Sequence, residues 1–222
     1  MLKMIDLMKD IHENAKAHGW WDTIRQEAGV RAMIVSEWAE ALEEDRAGRS
    51  LVWHACRDAG RKEKMVICER EPSCPCKHDA FEQDCAAYDA KPEGVAVELI
   101  DGCIRILDYL GWLGYDVDLI PEKVDHATIS GRILIENERI FDHERGTAGV
   151  FYEAEDMPVD ILVDLLNAKT MESRGGYGRQ AYVQAMCIAL AWVDAHGVNP
   201  EALMLKKHRY NQTRTYKHGK KY

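Results

Sequence analysis

Ile34-Val-Ser-Glu-Trp-Ala-Glu-Ala-Leu-Glu-Glu-Asp-Arg46 is the stretch on which the fold turns. At helical pitch Glu37, Glu40 and Glu44 fall in one acidic stripe, and Ile34, Trp38, Ala41 and Leu42 form an apolar stripe beside it. The glutamates therefore stand at the edge of the buried face. Carboxylates crowded there oppose one another's ionisation unless a cation joins them.

A second segment, Pro92-Glu-Gly-Val-Ala-Val-Glu-Leu-Ile-Asp-Gly-Cys-Ile-Arg-Ile-Leu-Asp-Tyr109, is apolar around most of a helix. Past its first turn the charges are Glu98, Asp101, Arg105 and Asp108, all on one side. A helix of this kind is expected to be buried all round except along one polar seam. Glu98 and Asp101 lie one turn apart and can aim at one point. With Glu37 and Glu40 opposite, four hard oxygen donors converge, a set suited to Mg²⁺ or Mn²⁺ rather than zinc.

Glu37-x-x-Glu40 followed by Glu98-x-x-Asp101 resembles the metal signature of the MazG-like all-α nucleoside triphosphate pyrophosphohydrolases. The resemblance extends to Ile11-His-Glu-Asn-Ala-Lys-Ala-His-Gly-Trp-Trp-Asp22, to Lys91-Pro-Glu-Gly94 and to Tyr210-Asn-Gln-Thr-Arg-Thr-Tyr-Lys-His-Gly219. It implies an all-α helical bundle and Mg²⁺-dependent cleavage of an NTP to NMP and pyrophosphate. It also implies that His12 and the Trp20-Trp21 pair contribute to a base pocket. Family members join the two carboxylate helices by a short connection, whereas here residues 47–90 intervene.

The chain of 222 residues is long enough for a sizeable core, and its net charge of −9 argues against a protein that coats nucleic acid. Neither a membrane span nor a signal peptide is read, so the cytoplasm is the expected compartment. Two halves are expected to pack as one unit. Residues 1–116 form the catalytic helical half with a Cys-rich insert, and residues 117–222 form a second helical half with a basic tail.

Residues 3–17 read as an amphipathic helix closed by Gly19. Two adjacent tryptophans, Trp20 and Trp21, cannot share one burial direction, so one is expected in the core and the other free to stack on a base. Within the insert, Cys68, Cys74, Cys76 and Cys85 gather around His78. The odd total of seven cysteines fits a reducing compartment, where such a group reads as a structural Zn²⁺ site, free thiols or disulfides, in that order. Cys103 and Cys187 read as small core residues.

In the second half, Arg132-Ile-Leu-Ile-Glu136 is either helical or extended, and Gly146-Thr-Ala-Gly149 marks a turn. A helix is expected from near Pro158, then a connector at Ser173–Gly178 and a helix over Gln180–His196. Setting Gly197 against Gly114 aligns this last helix with the second carboxylate helix, as in a degenerate repeat lacking the metal carboxylates. Two assemblies stay open: a homodimer, or a pseudo-dimeric monomer. The C-terminal stretch is basic, and Asn211, Arg214 and Lys217 are candidate phosphate contacts, as are Arg105 and Tyr109 on the seam. Asp108 is read either as a further seam residue or as the group that holds Arg105.

The expected function is thus a metal-dependent nucleoside triphosphate pyrophosphohydrolase. Glu37, Glu40, Glu98 and Asp101 hold the ion, and Glu40 or Glu44 orients the attacking water. Two rivals stand beside it. One is a non-catalytic, zinc-stabilised helical module whose basic tail binds nucleic acid or a partner. The other is a phosphoribosyl-ATP pyrophosphohydrolase.

Overall fold

The computed structural model describes residues 4–23, 26–56, 66–67, 91–114, 132–140, 148–174 and 178–216, with backbone alone for 54–56, 66–67, 132–140 and 148–153. Its helices are α1 (Met4–Ala17), α2 (Glu27–Arg46), α3 (Val95–Trp112), α4 (Val159–Glu172), α5 (Gly178–Ala195) and α6 (Pro200–Gln212). The described residues are mostly helical and their core is all-α. Strands occur as two small antiparallel excursions.

Four helices close a ring, because α2 packs on α3 and α4, and α5 packs on α3 and α4. The helices α1 and α6 then cover α3 from outside. With four neighbours, α3 is buried nearly all round: only Asp101, Arg105, Gly111 and Trp112 reach solvent to any extent. That is why its sequence is apolar beyond the usual single stripe, with Val97, Leu99, Ile100, Ile106, Leu107 and Leu110 fully buried. Each such side chain is worth roughly 1.5–3 kcal/mol when removed from water. Cys103 is buried and Cys187 half-buried, both as free thiols.

One contact sets the register between α2 and α3. The Trp38 ring lies on Gly102, where a Cβ would come within 2.2 Å of the indole. Trp38 Nε1 donates to Thr170 Oγ1 at 3.2 Å, and that hydroxyl donates to the Leu166 carbonyl at 2.7 Å. The indole thereby ties α2, α3 and α4 together. Because Glu37 precedes Trp38 and Asp101 precedes Gly102, the same contact carries both carboxylates to one place. Gly102→Ala should overpack this fully buried ring and destabilise the protein by about 1–3 kcal/mol. Urea unfolding reads the effect directly, and a midpoint equal to wild type would show that the helices part without cost.

The insert does not separate the two carboxylate helices. Strand β1 (Trp53–Cys56) lies between β2 (Val66–Ile67) and β3 (Pro92–Glu93), antiparallel to both, with Trp53 opposite Glu93 and His54 opposite Pro92. Its two ends are therefore side by side, and the path from α2 to α3 is short. Gly94 closes the junction at φ +112°, where a Cβ would fall 2.6 Å from the Ser50 and Leu51 carbonyl oxygens. Only glycine suits that position.

The undecided stretch at Arg132 is extended: β4 (Arg132–Ile140) pairs antiparallel with β5 (Ala148–Glu153). Gly149, placed in a turn by its sequence, belongs to β5, since the ladder already begins with Ala148 opposite Ile140. The helices α3 and α5 are each 18 residues long and each is followed by a positive-φ glycine, Gly114 and Gly197. Aligned on those glycines, both ends of the helices coincide. Ala181, Gln184, Ile188 and Ala191 then stand where Glu98, Asp101, Arg105 and Asp108 stand on α3.

The basic C-terminal stretch is the main departure from expectation. Much of it is α6, begun by Asn199, whose side chain accepts from the Ala202 N–H at 2.9 Å, with Pro200 in the first turn. Leu203, Met204, Lys207 and His208 form its buried face.

Candidate metal centre

Glu37, Glu98 and Asp101 each turn one oxygen toward a common point, and these atoms all lie within 4.8 Å of one another. Glu37 and Glu98 are buried and Asp101 is half-buried. Two cations flank the group. Arg105 Nε donates to Glu37 Oε1 at 3.0 Å. On the other side the fully buried Lys207 places its ammonium 2.8 Å from Asp101 Oδ2, and it also donates to the Pro92 carbonyl at 3.2 Å.

Glu98 differs from its neighbours. It is 3 % exposed, and among the described residues no hydrogen bond or ion pair reaches its carboxylate. Burial pushes it up to about 8, and Asp101 and Glu37 push the same way against the opposing pull of Lys207 and Lys91. Glu37 is also raised, by burial first, with Arg105 opposing and Asp101 and Glu40 adding to the rise. For Lys207 and Arg105, burial works against the charge, but the carboxylates outweigh it and raise both. A buried acid without a partner is costly, and a divalent cation removes that cost. The donors are all hard oxygens, so the residues present fit Mg²⁺ or Mn²⁺.

Of the four carboxylates expected to converge, the structure gathers three. Glu40 is exposed, one turn along α2 from Glu37, and acts on it through its charge. Glu44 is turned away, since it accepts from Arg49 Nη1 at 2.6 Å and from Trp53 Nε1 at 2.7 Å. Those bonds hold the end of α2 to the strand that opens the insert.

The remaining seam residues form a second cluster along α3. Asp108 Oδ1 lies 2.8 Å from His12 Nδ1 and accepts from Trp21 Nε1 at 2.8 Å. Asp108 thus holds His12 and Trp21, while Arg105 is held by Glu37. The two tryptophans diverge as expected. Trp20 is buried beneath the Arg105 guanidinium, 5.7 Å from its ring centre. Trp21 is half-buried, but one face already stacks on Trp112 at 5.2 Å. Trp112 stacks in turn on Tyr109, whose ring meets the edge of Tyr182. Tyr109 is therefore part of a packed aromatic row rather than open seam.

At the C-terminal end, Asn211 is half-buried and its Oδ1 has no hydrogen-bond partner among the described residues. The Arg214 carbonyl lies 2.8 Å from His18 Nε2, and the Tyr216 hydroxyl donates to Asp22. His208 Nε2 lies 2.8 Å from Asp10 Oδ2. These bonds fasten α6 and the residues after it to α1 and the tryptophan loop. Lys217, and the zinc ligands expected at Cys68, Cys74, Cys76 and Cys85 with His78 in reserve, lie outside the described residues.

Lys207 is the residue that reading for carboxylates passes over. Its signal was present: it falls four residues after Leu203, on the apolar stripe of a helix opened by Asn-Pro. A lysine on such a stripe needs a buried anion. Among the described residues, no helix is long and apolar enough to cross a membrane. Comparison with known proteins returns no match, whether to a family model, to a characterised protein or to a solved structure.

Proposed function

We propose that this chain is a Mg²⁺-dependent nucleoside triphosphate pyrophosphohydrolase that releases pyrophosphate and a nucleoside monophosphate. The observation that carries the reading is Glu98, 3 % exposed and without a partner among the described residues, facing Glu37 and Asp101. Mg²⁺ bound there supplies charge neutralisation of a triphosphate and polarisation of its phosphoryl oxygens and of water.

The chain's own residues divide the other tasks. Arg105 and Lys207 pair with Glu37 and Asp101, so those carboxylates are held in place before substrate arrives. Of the two residues weighed for orienting water, Glu44 is tied to Arg49 and Trp53, which leaves Glu40. Asn211, with its buried unpartnered oxygen, Arg214 and Lys217 contact the substrate from the C-terminal side. His12 Nδ1 is held by Asp108, leaving Nε2 to meet a base, with Trp21 beside it.

The test is pyrophosphate release from a panel of ribo- and deoxyribonucleoside triphosphates with Mg²⁺ or with EDTA. Glu98→Gln should lower turnover at least about a hundredfold, the loss typical of removing one electrostatic stabiliser. Absence of Mg²⁺-dependent pyrophosphate from every triphosphate would sink the proposal. Release from phosphoribosyl-ATP alone would move the substrate to that rival.

A further inference from the structure

We infer that His12 reads the edge of the base as a hydrogen-bond acceptor. The substrate class is then a nucleotide with an exocyclic amino group, cytosine or adenine, where uracil and hypoxanthine carry a carbonyl. The inference rests on the reading above, which leaves the base open, and names the residue that chooses it.

The direction of the His12 hydrogen bond follows from its partner. Nδ1 lies 2.8 Å from Asp108 Oδ1, and the Trp21 Nε1–H donates to the same oxygen at 2.8 Å. An ionised carboxylate only accepts, so Nδ1 carries the proton. In the neutral imidazole Nε2 is then an acceptor with a bare lone pair. That atom has no hydrogen-bond partner among the described residues. The enclosed side-chain atoms without partners are, among the described residues, Arg31 Nε, Asn167 Oδ1 and Asn211 Oδ1, so Nε2 faces solvent.

Packing keeps the ring in that pose. The His12 and Asp108 side chains are only 13 % and 12 % exposed. A Cβ on Gly111 would come within 2.7 Å of His12 Cβ, so α1 is seated closely on α3 at this point. The Trp21 ring meets His12 at 5.4 Å and 69°, and Trp112 stacks on Trp21. Asp101, Arg105 and Asp108 share the polar seam of α3, and seven residues carry it about 10 Å from Asp101 to Asp108. With phosphates at the carboxylates, a nucleotide laid along this seam brings its base to His12. Cytosine and adenine then offer an amino N–H to Nε2. Uracil and hypoxanthine set a carbonyl oxygen at that corner, lone pair against lone pair, and their ring N–H brings the same oxygen with it.

Binding, rather than turnover, tests this. The full-length chain with Mg²⁺ is titrated calorimetrically with the α,β-methylene analogues of CTP, UTP, ATP and ITP. The buffer is set at about pH 8.5, two units above an unperturbed histidine. Within each pair that binds, the amino member should bind at least about tenfold more tightly, the usual scale for one unmatched polar contact. Equal affinity, or tighter binding of a carbonyl member, would overturn the inference. Binding with that preference but no pyrophosphate release from CTP or ATP would sink the hydrolase reading alone, and no binding at all would overturn both. His12→Phe keeps a ring and loses the acceptor, so the preference should vanish; a preference left unchanged would remove His12 from the role. A second measurement covers a variant that does not fold. Nitrogen resonances of the ¹⁵N-labelled wild-type imidazole should show His12 Nε2 unprotonated and shifted by the amino analogues. A proton on Nε2 at this pH would overturn the inference.

Discussion

Asp101→Asn and Glu98→Gln should both destroy the centre, yet shift the stability of the metal-free protein in opposite directions. Asp101 is the ion-pair partner of a fully buried lysine. Replacing it by the neutral amide leaves that ammonium enclosed with the Pro92 carbonyl as its remaining close partner. Breaking a buried pair on one side costs about 3–5 kcal/mol. The low end, about 3 kcal/mol, is expected here, because Asp101 is partly exposed. Glu98 is the reverse case, since it has no partner to lose. Its folded-state value of about 8 against an ordinary 4.5 means that at pH 7 the fold must hold a proton the unfolded chain gives up. At 1.36 kcal/mol per unit over the interval from 4.5 to pH 7, glutamine removes a cost of about 3 kcal/mol. Urea unfolding of both variants in EDTA at pH 7 makes the comparison, and midpoints that move together would refute this division of roles.

Magnesium affinity should rise by up to tenfold per pH unit between about pH 5 and 8, while metal-free stability falls over the same range. The sign follows from Glu98. Its folded value lies above the unfolded one, so its contribution to stability is fully present below about 4.5 and is lost as pH rises through about 8. Glu37 is raised in the same direction and steepens the fall. A metal ligand must give up its proton, so binding below pH 8 releases one and is penalised accordingly. With saturating Mg²⁺ the melting temperature should thus rise most at the alkaline end. Calorimetric titration at several pH values, in buffers of different ionisation enthalpy, measures both the affinity and the proton released. An affinity that does not change from pH 5.5 to 7.5 would mean that Glu98 is not a ligand.

The sequence by itself determined the direction in which each side chain leaves its own helix. Helical period placed Glu37 beside the apolar stripe of α2, and Glu98 and Asp101 on the one polar seam of α3. It also separated Trp20 from Trp21 and delimited α1, α4 and α5 closely. These are local properties of a repeating backbone, so a linear reading recovers them.

Which faces meet was decided by packing. Trp38 on Gly102 selects the register that joins Glu37 to Asp101, and pairing of β1 with β3 brings the ends of a long insert together. The same packing turned Glu44 to Arg49 and Trp53, and gave Asp108 to His12 and Trp21 rather than to Arg105. It also enclosed Lys207, a lysine in a basic stretch read from its sequence as a source of phosphate contacts. Each partner is chosen by burial: a charge removed from water takes the nearest group able to compensate it, however far apart in the chain the two may be. Asp101 and Lys207 meet because α6 closes over α3, a fact of three dimensions that no spacing along the chain records.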